Sequence, residues 1–432
     1  MTRPLGAKSV LMAPRDARGA VQISAVGSVG PMIYDVAAVR AQFPALRSGT
    51  AHFDGPGGTQ VPEAVGRAVA DTLTSSIANR GRVTAAERLA DDVVLGARSA
   101  VGDLLGADPR GVVFGRSATQ LTVDLARTLA TGWGPGDEVV VSRLDHDANV
   151  RPWVTAAERA GATVRWAAFD PATGELTADD VAAVLSDRTR LVAVTGASNL
   201  IGTRPPVAAI AERVHAAGAL LAVDGVHLTA HAPLDVRALG ADFFTCSPYK
   251  FLGPHCGVLA ADPALLESLQ PDKLLPSTDA VPERFELGTL PFELMAGTTA
   301  AVEFIAGIAP GDAADRRARV LASMAAVEAY EDGLRAELEA ELAGLPGVTL
   351  WSRARHRTPT LLLTFAGRDA ADAYRFLAQR GINAPAGSFY ALEASRWLGL
   401  GDAGGLRVGL APYTDADDVE RLVTGLRAFL AS

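Results

Sequence analysis

Phe244-Thr245-Cys246-Ser247-Pro248-Tyr249-Lys250-Phe251-Leu252-Gly253-Pro254 is the stretch from which the rest of the chain is read. Apolar residues lead into Lys250, and a turn containing glycine follows it. A lysine so placed can sit in a tight, partly dry pocket. Removing water disfavours the ammonium form, so the amine can act as a nucleophile and form a Schiff base. Upstream, Leu220-Leu221-Ala222-Val223-Asp224-Gly225-Val226-His227 is an apolar strand ending in a carboxylate, a glycine and an imidazole. An aspartate able to hold a pyridinium nitrogen, followed by a lysine able to form an imine, is the pair that pyridoxal 5'-phosphate needs.

Around these two segments the chain alternates short apolar runs with helical patterns. The runs are Val112 to Phe114, Glu138 to Val141, Thr163 to Trp166, Leu191 to Val194, Leu220 to Val223, Phe243 to Thr245 and Gly257 to Leu259. A helix is expected over Ala118 to Ala130. Strands separated by helices of ten or more residues indicate crossover units and a mainly parallel, buried sheet. The pattern changes after Ala296. Helices are expected from Thr298 to Ile308 and from Asp315 to Leu342. Two strands, Pro359 to Phe365 and Leu406 to Leu410, then flank a helix from Ala370 to Gln379. Folding is expected to begin near Tyr34, where Val36, Val39, Phe43 and Leu46 recur at helical spacing. The expected organisation is a flexible extension over residues 1–33, a large domain over 34–295 and a smaller α+β domain over 296–432. Residues 34–51 are able to pack with the smaller domain.

A parallel sheet binds ligands at the carboxyl ends of its strands. Gly115-Arg116-Ser117-Ala118-Thr119-Gln120 follows one strand and opens a helix, where N–H groups and the helix dipole favour a phosphate. An ordinary serine cap reads the same way. Leu144-Asp145-His146-Asp147-Ala148-Asn149 follows another strand. His146 can stack on a pyridine ring or act as acid or base. In Gly196-Ala197-Ser198-Asn199, Asn199 can donate to a phenolic oxygen. Each residue alone has a bland alternative: a cap, a turn residue or a solvated side chain. Five successive strand ends with suitable side chains in a workable order make chance a poor account.

Composition bounds the rest. The chain has 432 residues, a net charge of −9, 49% apolar residues and 21% charged ones. That is a globular balance with length for about two domains. The acidic balance argues against nucleic acid or an anionic membrane as partner. Two cysteines cannot form a disulfide framework, so a reducing cytoplasm is expected. No apolar run reaches membrane-spanning length. The first residues carry Arg3, Lys8, Arg15 and Arg18 without the continuous apolar core of a signal peptide. No metal site is expected.

These motifs resemble the class V aminotransferase family of fold-type I pyridoxal-phosphate enzymes, in its cysteine desulfurase-like and isopenicillin N epimerase-like branch. The likeness runs from about Tyr34 to the C-terminus. It implies an α/β fold: a large domain with a mainly parallel seven-stranded sheet, and a smaller C-terminal α+β domain. It implies that Ser117, Ala118 and Thr119 hold the phosphate and that His146 stacks on the ring. Asn199, within Ser198-Asn199-Leu200-Ile201-Gly202-Thr203, and Asp224 also hold the cofactor. His227 stands where desulfurases usually carry glutamine, as in the epimerase branch. Ser247-Pro248-Tyr249-Lys250 resembles the family's lysine segment, with tyrosine in place of histidine. Glu286-Leu287-Gly288-Thr289 resembles the loop whose threonine reaches the phosphate of a neighbouring subunit, which implies a homodimer. Arg407 matches the arginine that clamps the substrate carboxylate. Asn149 lies in the His146 loop, and Arg80, in Asn79-Arg80-Gly81-Arg82, can place a cation near a bulky acidic or sugar-bearing substrate.

One departure decides the expected chemistry. Desulfurases carry a mobile cysteine that takes up sulfur, and the matching stretch here, Gly381-Ile382-Asn383-Ala384-Pro385-Ala386-Gly387-Ser388-Phe389-Tyr390-Ala391, has none. The two cysteines, Cys246 and Cys256, flank Lys250 and read as small buried hydrophobes. A persulfide cycle lacks its thiolate. The expectation is therefore a small amino-acid substrate, an S-substituted cysteine, undergoing Cα deprotonation and β-elimination with Lys250, His146 and Asp224 as the catalytic residues. Decarboxylating, oxidatively deaminating or transaminating chemistry on such a substrate, or epimerisation of an amino acid, are the alternatives. An idle scaffold would be expected to lose Lys250 or Asp224, and both are present.

Overall fold

The computed structural model describes residues 34–432 apart from residue 312. The expectation for residues 1–33 lies outside the described residues. The strands are β1 (Ala51–His52), β2 (Val112–Gly115), β3 (Glu138–Ser142), β4 (Thr163–Ala167), β5 (Thr189–Thr195), β6 (Leu220–Asp224) and β7 (Phe243–Cys246). They continue as β8 (Gly257–Ala261), β9 (Val348–Leu350), β10 (Thr360–Phe365), β11 (Ile382–Asn383), β12 (Ala386–Gly387) and β13 (Gly405–Gly409).

Seven of them form the large sheet, in the order β2-β8-β7-β6-β5-β3-β4. The β3–β4, β3–β5, β5–β6 and β6–β7 pairs are parallel; β8 runs antiparallel to both β7 and β2. Every run expected as a strand of this sheet is one. The edge strand β4 is half exposed, while β3, β7 and β8 are buried along their whole length and β2, β5 and β6 nearly so. That is why they read as uninterrupted apolar runs. Helices cover the sheet on both faces. One side packs Trp153, Leu121 and Leu125 against Val139 and Val141; the other packs Val101, Leu105 and Ile210 around Val140 and Val192. The helix Ala118–Ala130 has its expected bounds.

A second sheet, β12-β13-β10-β9, is antiparallel throughout. Its apolar cluster unites Leu361, Leu406, Leu422 and Leu426 with Ala51 and Phe53 from the start of the described chain. Ala51 pairs with Ile382 in the short parallel ladder β1–β11. Val39 and Phe43 instead join the large-sheet core. The helix Arg316–Ala343 serves both cores, with Val320 and Met324 in one and Leu334, Leu338 and Leu342 in the other. Among the described residues, no helix is long and apolar enough to cross a membrane.

Some element limits differ from expectation. The helical spacing from Val36 to Leu46 is broken: a helix over Val36–Arg40 stops, and a separate 3-10 turn starts at Pro44. Proline drives the preceding Phe43 into extended backbone, φ −105° and ψ 102°. The helix expected from Thr298 spans Phe292–Ala306, starting directly after Pro291. Two amphipathic helices, Glu63–Leu73 and Ala85–Leu105, were not anticipated. The second starts with a capping box between Thr84 and Glu87.

Candidate active site

The carboxyl ends of β2, β3, β5, β6 and β7 open onto one cavity of about 1170 Å³. The structure brings most of the expected residues to its wall. Ser117, Ala118 and Thr119 line it where β2 turns into the helix Ala118–Ala130. Ser117 Oγ caps that helix by accepting from the Gln120 N–H at 3.1 Å. Among the described residues no acceptor meets the N–H of Ala118 or Thr119. The turn rests on β8: a Cβ on Gly257 would lie 2.1 Å from the Ser117 carbonyl carbon. Only glycine lets the strand pass so close beneath the turn.

At the end of β6, Asp224 is buried and accepts the Val226 N–H on one oxygen at 2.9 Å. No donor among the described residues meets its other oxygen. Burial pushes its pKa up to about 6, opposed by the Val226 N–H and by Lys250. The turn after Asp224 needs Gly225, since a Cβ there would sit 1.9 Å from Phe244 Cζ.

Lys250 is partly buried after β7 and donates to the Pro56 carbonyl. Among the described residues no carboxylate pairs with it. Burial, then the nearby Arg407, push its pKa down to about 7, against the pull of Asp224. A neutral amine is thus available near pH 7. Ser247 and Tyr249 line the same wall, with the Tyr249 ring stacked on His255 at 4.9 Å.

Arg407, on β13, is only 2% exposed. Its guanidinium donates to the Asn199 carbonyl at 3.0 Å and lies 3.7 Å from the centroid of the Phe389 ring. Its Nε has no partner, and no ion pair holds it among the described residues. Burial lowers its pKa to about 9, with Asp54 opposing. A buried, unpaired guanidinium facing a cavity is a site for an anion.

His146 also lines the cavity. Its Nδ1 accepts the Ala148 N–H at 3.0 Å, so the proton belongs on Nε2. Burial, then Lys250 and Arg407, push its pKa down to about 4, and the ring is neutral at pH 7. Asn199 donates to the Phe389 carbonyl at 2.9 Å, and its buried Oδ1 has no partner among the described residues. His227 reaches the wall, but its Nε2 is engaged by the Thr358 and Thr360 hydroxyls, both at 3.0 Å.

Three expected site residues are not brought to this cavity. Asn149 is buried with both ends of its amide used: it donates to Asp145 at 2.7 Å and accepts from Trp153 Nε1 at 3.0 Å. It braces the β3 loop and does not line the cavity. Arg80 is held by Asp91 at 2.7 Å and Glu283 at 2.8 Å, so its charge is already neutralised away from the cavity. Thr289 is exposed on its loop and does not line the cavity of its own chain. That loop is anchored by Glu286, which pairs with buried Arg98 at 2.7 Å and accepts the Phe114 N–H at 3.0 Å.

Other residues at the site were not anticipated. Asp145 is fully buried between Ser142 and Asn149, and burial raises its pKa to about 8 against those hydrogen bonds. The spacing 145, 149, 153 places Asp145, Asn149 and Trp153 four residues apart, a signal of a local network. Phe389 and Tyr390 roof the cavity with φ of 52° and 59°. Left-handed backbone costs a non-glycine residue about 1–2 kcal/mol, so the surroundings must hold it. The Tyr390 ring stacks on His146 at 5.4 Å. No local pattern marks such residues.

Neither cysteine lines the cavity. Both are buried and free, Cys246 at the end of β7 and Cys256 with its sulfur 3.6 Å from the Thr298 hydroxyl. Burial raises the pKa of Cys256 to about 11 and that of Cys246 still further, so neither is a ready thiolate.

These features fit pyridoxal 5'-phosphate. Unpaired N–H groups at a helix start suit its phosphate. The free oxygen of Asp224 suits its ring nitrogen, and Lys250 suits its aldehyde.

Comparison with known proteins agrees. Residues 51–422 match the family described as aminotransferase class-V. An uncharacterized protein of Mycobacterium tuberculosis is 36% identical, the match covering 91% of this chain and 99% of that protein. An aminotransferase-like protein of Gibberella zeae is 30% identical, over 92% and 99% of the two chains. The crystal structure of a cysteine desulfurase from Escherichia coli superposes with a TM-score of 0.82 at 30% identity, covering 92% of this chain and 99% of that one.

Proposed function

The chain belongs to the class V aminotransferase family, whose members are pyridoxal 5'-phosphate-dependent enzymes, and from that premise we propose that it is a carbon–sulfur lyase. Its substrate is an S-substituted cysteine, and no protein thiol takes part. The observation that carries this reading is the composition of the cavity wall. Phe389 and Tyr390 line the cavity from the segment that resembles the desulfurases' mobile-cysteine stretch, and the two cysteines of this chain are buried elsewhere.

The bound cofactor supplies an electron sink for the charge left at Cα when its proton departs. The rest is the work of this chain's residues. Ser117, Ala118 and Thr119 hold the phosphate, and Asp224 keeps a proton on the ring nitrogen. Arg407 binds the substrate carboxylate with its two-pronged guanidinium and so sets the orientation of the Cα–H bond. The Lys250 amine, neutral near pH 7, takes the Cα proton. As ammonium it then stands ready to protonate the departing sulfur. His146 is neutral throughout this pH range, which leaves it a ring to pack on and an Nε2–H to donate, and no acid of ordinary strength. Substrate and water thus give a thiol, pyruvate and ammonia.

Thr289, exposed on a loop anchored by Glu286, supports a homodimer in which it reaches the partner's phosphate. Two unpaired cysteines suit a reducing cytoplasm. The experiment that tests this reading is mass analysis of products from the purified holoenzyme with a panel of S-substituted cysteines, free cysteine and plain amino acids. Equal yields of thiol and pyruvate from the first group support it. A keto acid that keeps the sulfur, or a decarboxylated product, would replace it with transamination or decarboxylation.

A further inference from the structure

The roof segment Ser388–Ala391 is held from several directions at once. From the large-sheet side, the Asp147 N–H donates to the Tyr390 carbonyl at 2.7 Å and the Asn199 amide donates to the Phe389 carbonyl at 2.9 Å. Directly after the roof, Glu393 opens the short helix Leu392–Trp397. One of its oxygens pairs with Arg143 at 3.1 Å and the other with Arg151. Arg151 in turn binds Asp147 at 2.9 Å, the residue whose N–H holds Tyr390. Arg143 lies between the Trp166 and Trp397 rings, 5.0 and 4.9 Å from their centroids. Trp397 closes the set by donating from Nε1 to the Phe169 carbonyl at 2.8 Å. Glu393 is 14% exposed, so this pairing is better shielded from solvent than an ordinary surface bridge.

We propose that Glu393 is a positioning residue that clamps the Ser388–Ala391 segment down, making it a fixed wall of the substrate site. The roof carries the Phe389 ring that packs on Arg407 and the Tyr390 ring that packs on His146. Glu393 touches neither substrate nor cofactor. It acts through those two rings, and so through the orientation of the carboxylate-binding guanidinium. A fixed wall also agrees with the absence of a cysteine from the segment, because sulfur carriage needs an arm that swings and a walled pocket does not. The proposal holds whichever Cα bond is broken.

The test compares the holoenzyme with Glu393→Ala, Glu393→Gln and Arg396→Ala. The last breaks only the exposed pair between Arg396 and Asp402 on the same helix. Hydrogen exchange of the 388–391 amides is read without substrate. Half-saturation by S-methyl-L-cysteine is read from the cofactor spectrum, independently of any product. In Glu393→Ala, exchange in the roof rises about tenfold or more and half-saturation rises about tenfold. The cofactor spectrum without substrate is unchanged. Glu393→Gln, which keeps hydrogen-bond acceptance towards the arginines, recovers part of both effects, and Arg396→Ala shows neither. If Glu393→Ala does not fold, Arg143→Ala, which removes the other partner of Glu393 and does not line the cavity, gives the same readings. Unchanged roof exchange in the clamp variants overturns the proposal. So does faster exchange with unchanged half-saturation, which makes the clamp purely structural.

Discussion

Replacing Arg407 with methionine should separate stability from function. The guanidinium is buried, has no ion pair among the described residues, and burial pushes its pKa down from the ordinary arginine range to about 9. At 1.36 kcal/mol per pH unit, keeping it charged in the substrate-free protein costs roughly 5 kcal/mol. The pKa is lowered on folding, so the penalty is present in full below pH about 9, where folded and unfolded chains both carry the charge. It fades only as pH rises towards the unfolded value. Packing on Phe389 and the bond to the Asn199 carbonyl are lost with the side chain and offset part of the gain. Methionine fills most of the same space, and exchanging a buried charge for an apolar group of similar volume is often neutral or stabilising by about 1–4 kcal/mol. The thermal midpoint of Arg407→Met without substrate is therefore expected to hold or rise. Substrate recognition moves the other way. Losing a buried partner of the carboxylate costs about 2–5 kcal/mol, or roughly 30- to 4000-fold in kcat/KM. Differential scanning calorimetry and steady-state kinetics on the same preparation read both. A midpoint that falls by many degrees while kcat/KM changes less than tenfold would show that Arg407 is a structural arginine, and the carboxylate assignment would be wrong.

Three further outcomes follow from the site. Lys250→Ala should lose the yellow imine absorbance and the cofactor that borohydride fixes to the chain; peptide mass analysis showing reducible cofactor still attached would refute the lysine assignment. With the Lys250 amine at about pKa 7, the rate at which cofactor-free protein regains colour with added pyridoxal 5'-phosphate should rise about fivefold from pH 6 to 7 and level off above pH 8. A rate still climbing at pH 10 would mean an ordinary lysine. Thr289→Ala should leave the fold intact but loosen cofactor retention in a two-fold dimer, measured by dialysis and sedimentation; a fully active monomer would remove the role of the neighbouring subunit.

How much of this was legible in the sequence follows from the kind of interaction involved. Val139 to Val141 and Leu221 to Val223 announce themselves because both faces of a parallel strand are buried. Cavity-lining side chains then fall at or just past each strand end, which is why Ser117, His146, Asn199, Asp224 and Lys250 can be placed from order alone. Residues whose roles depend on distant partners could not be placed so. Arg80 looks like a free cation in sequence, yet it is satisfied by Glu283, far along the chain. Glu393 meets Arg143 and Arg151, 250 and 242 residues away along the chain, and no periodicity reports that. Asn149 is not placed by order either: its loop reads in sequence through His146, while its amide is taken up by Asp145 and Trp153. The break at Pro44 was readable from proline chemistry and was masked by the helical spacing of the apolar residues around it.

The central claim is that carbon–sulfur cleavage here proceeds without a protein thiol. The most direct measurement replaces Cys246 and Cys256 together with alanine and assays the holoenzyme on S-methyl-L-cysteine beside free cysteine. Methanethiol and pyruvate should form from S-methyl-L-cysteine at close to the parent rate, free cysteine should be a poor substrate, and no persulfide should accumulate on the parent protein. Loss of activity in the double variant with its cofactor still bound, or a persulfide trapped on either cysteine of the parent, would contradict the account and point to a rearranged desulfurase.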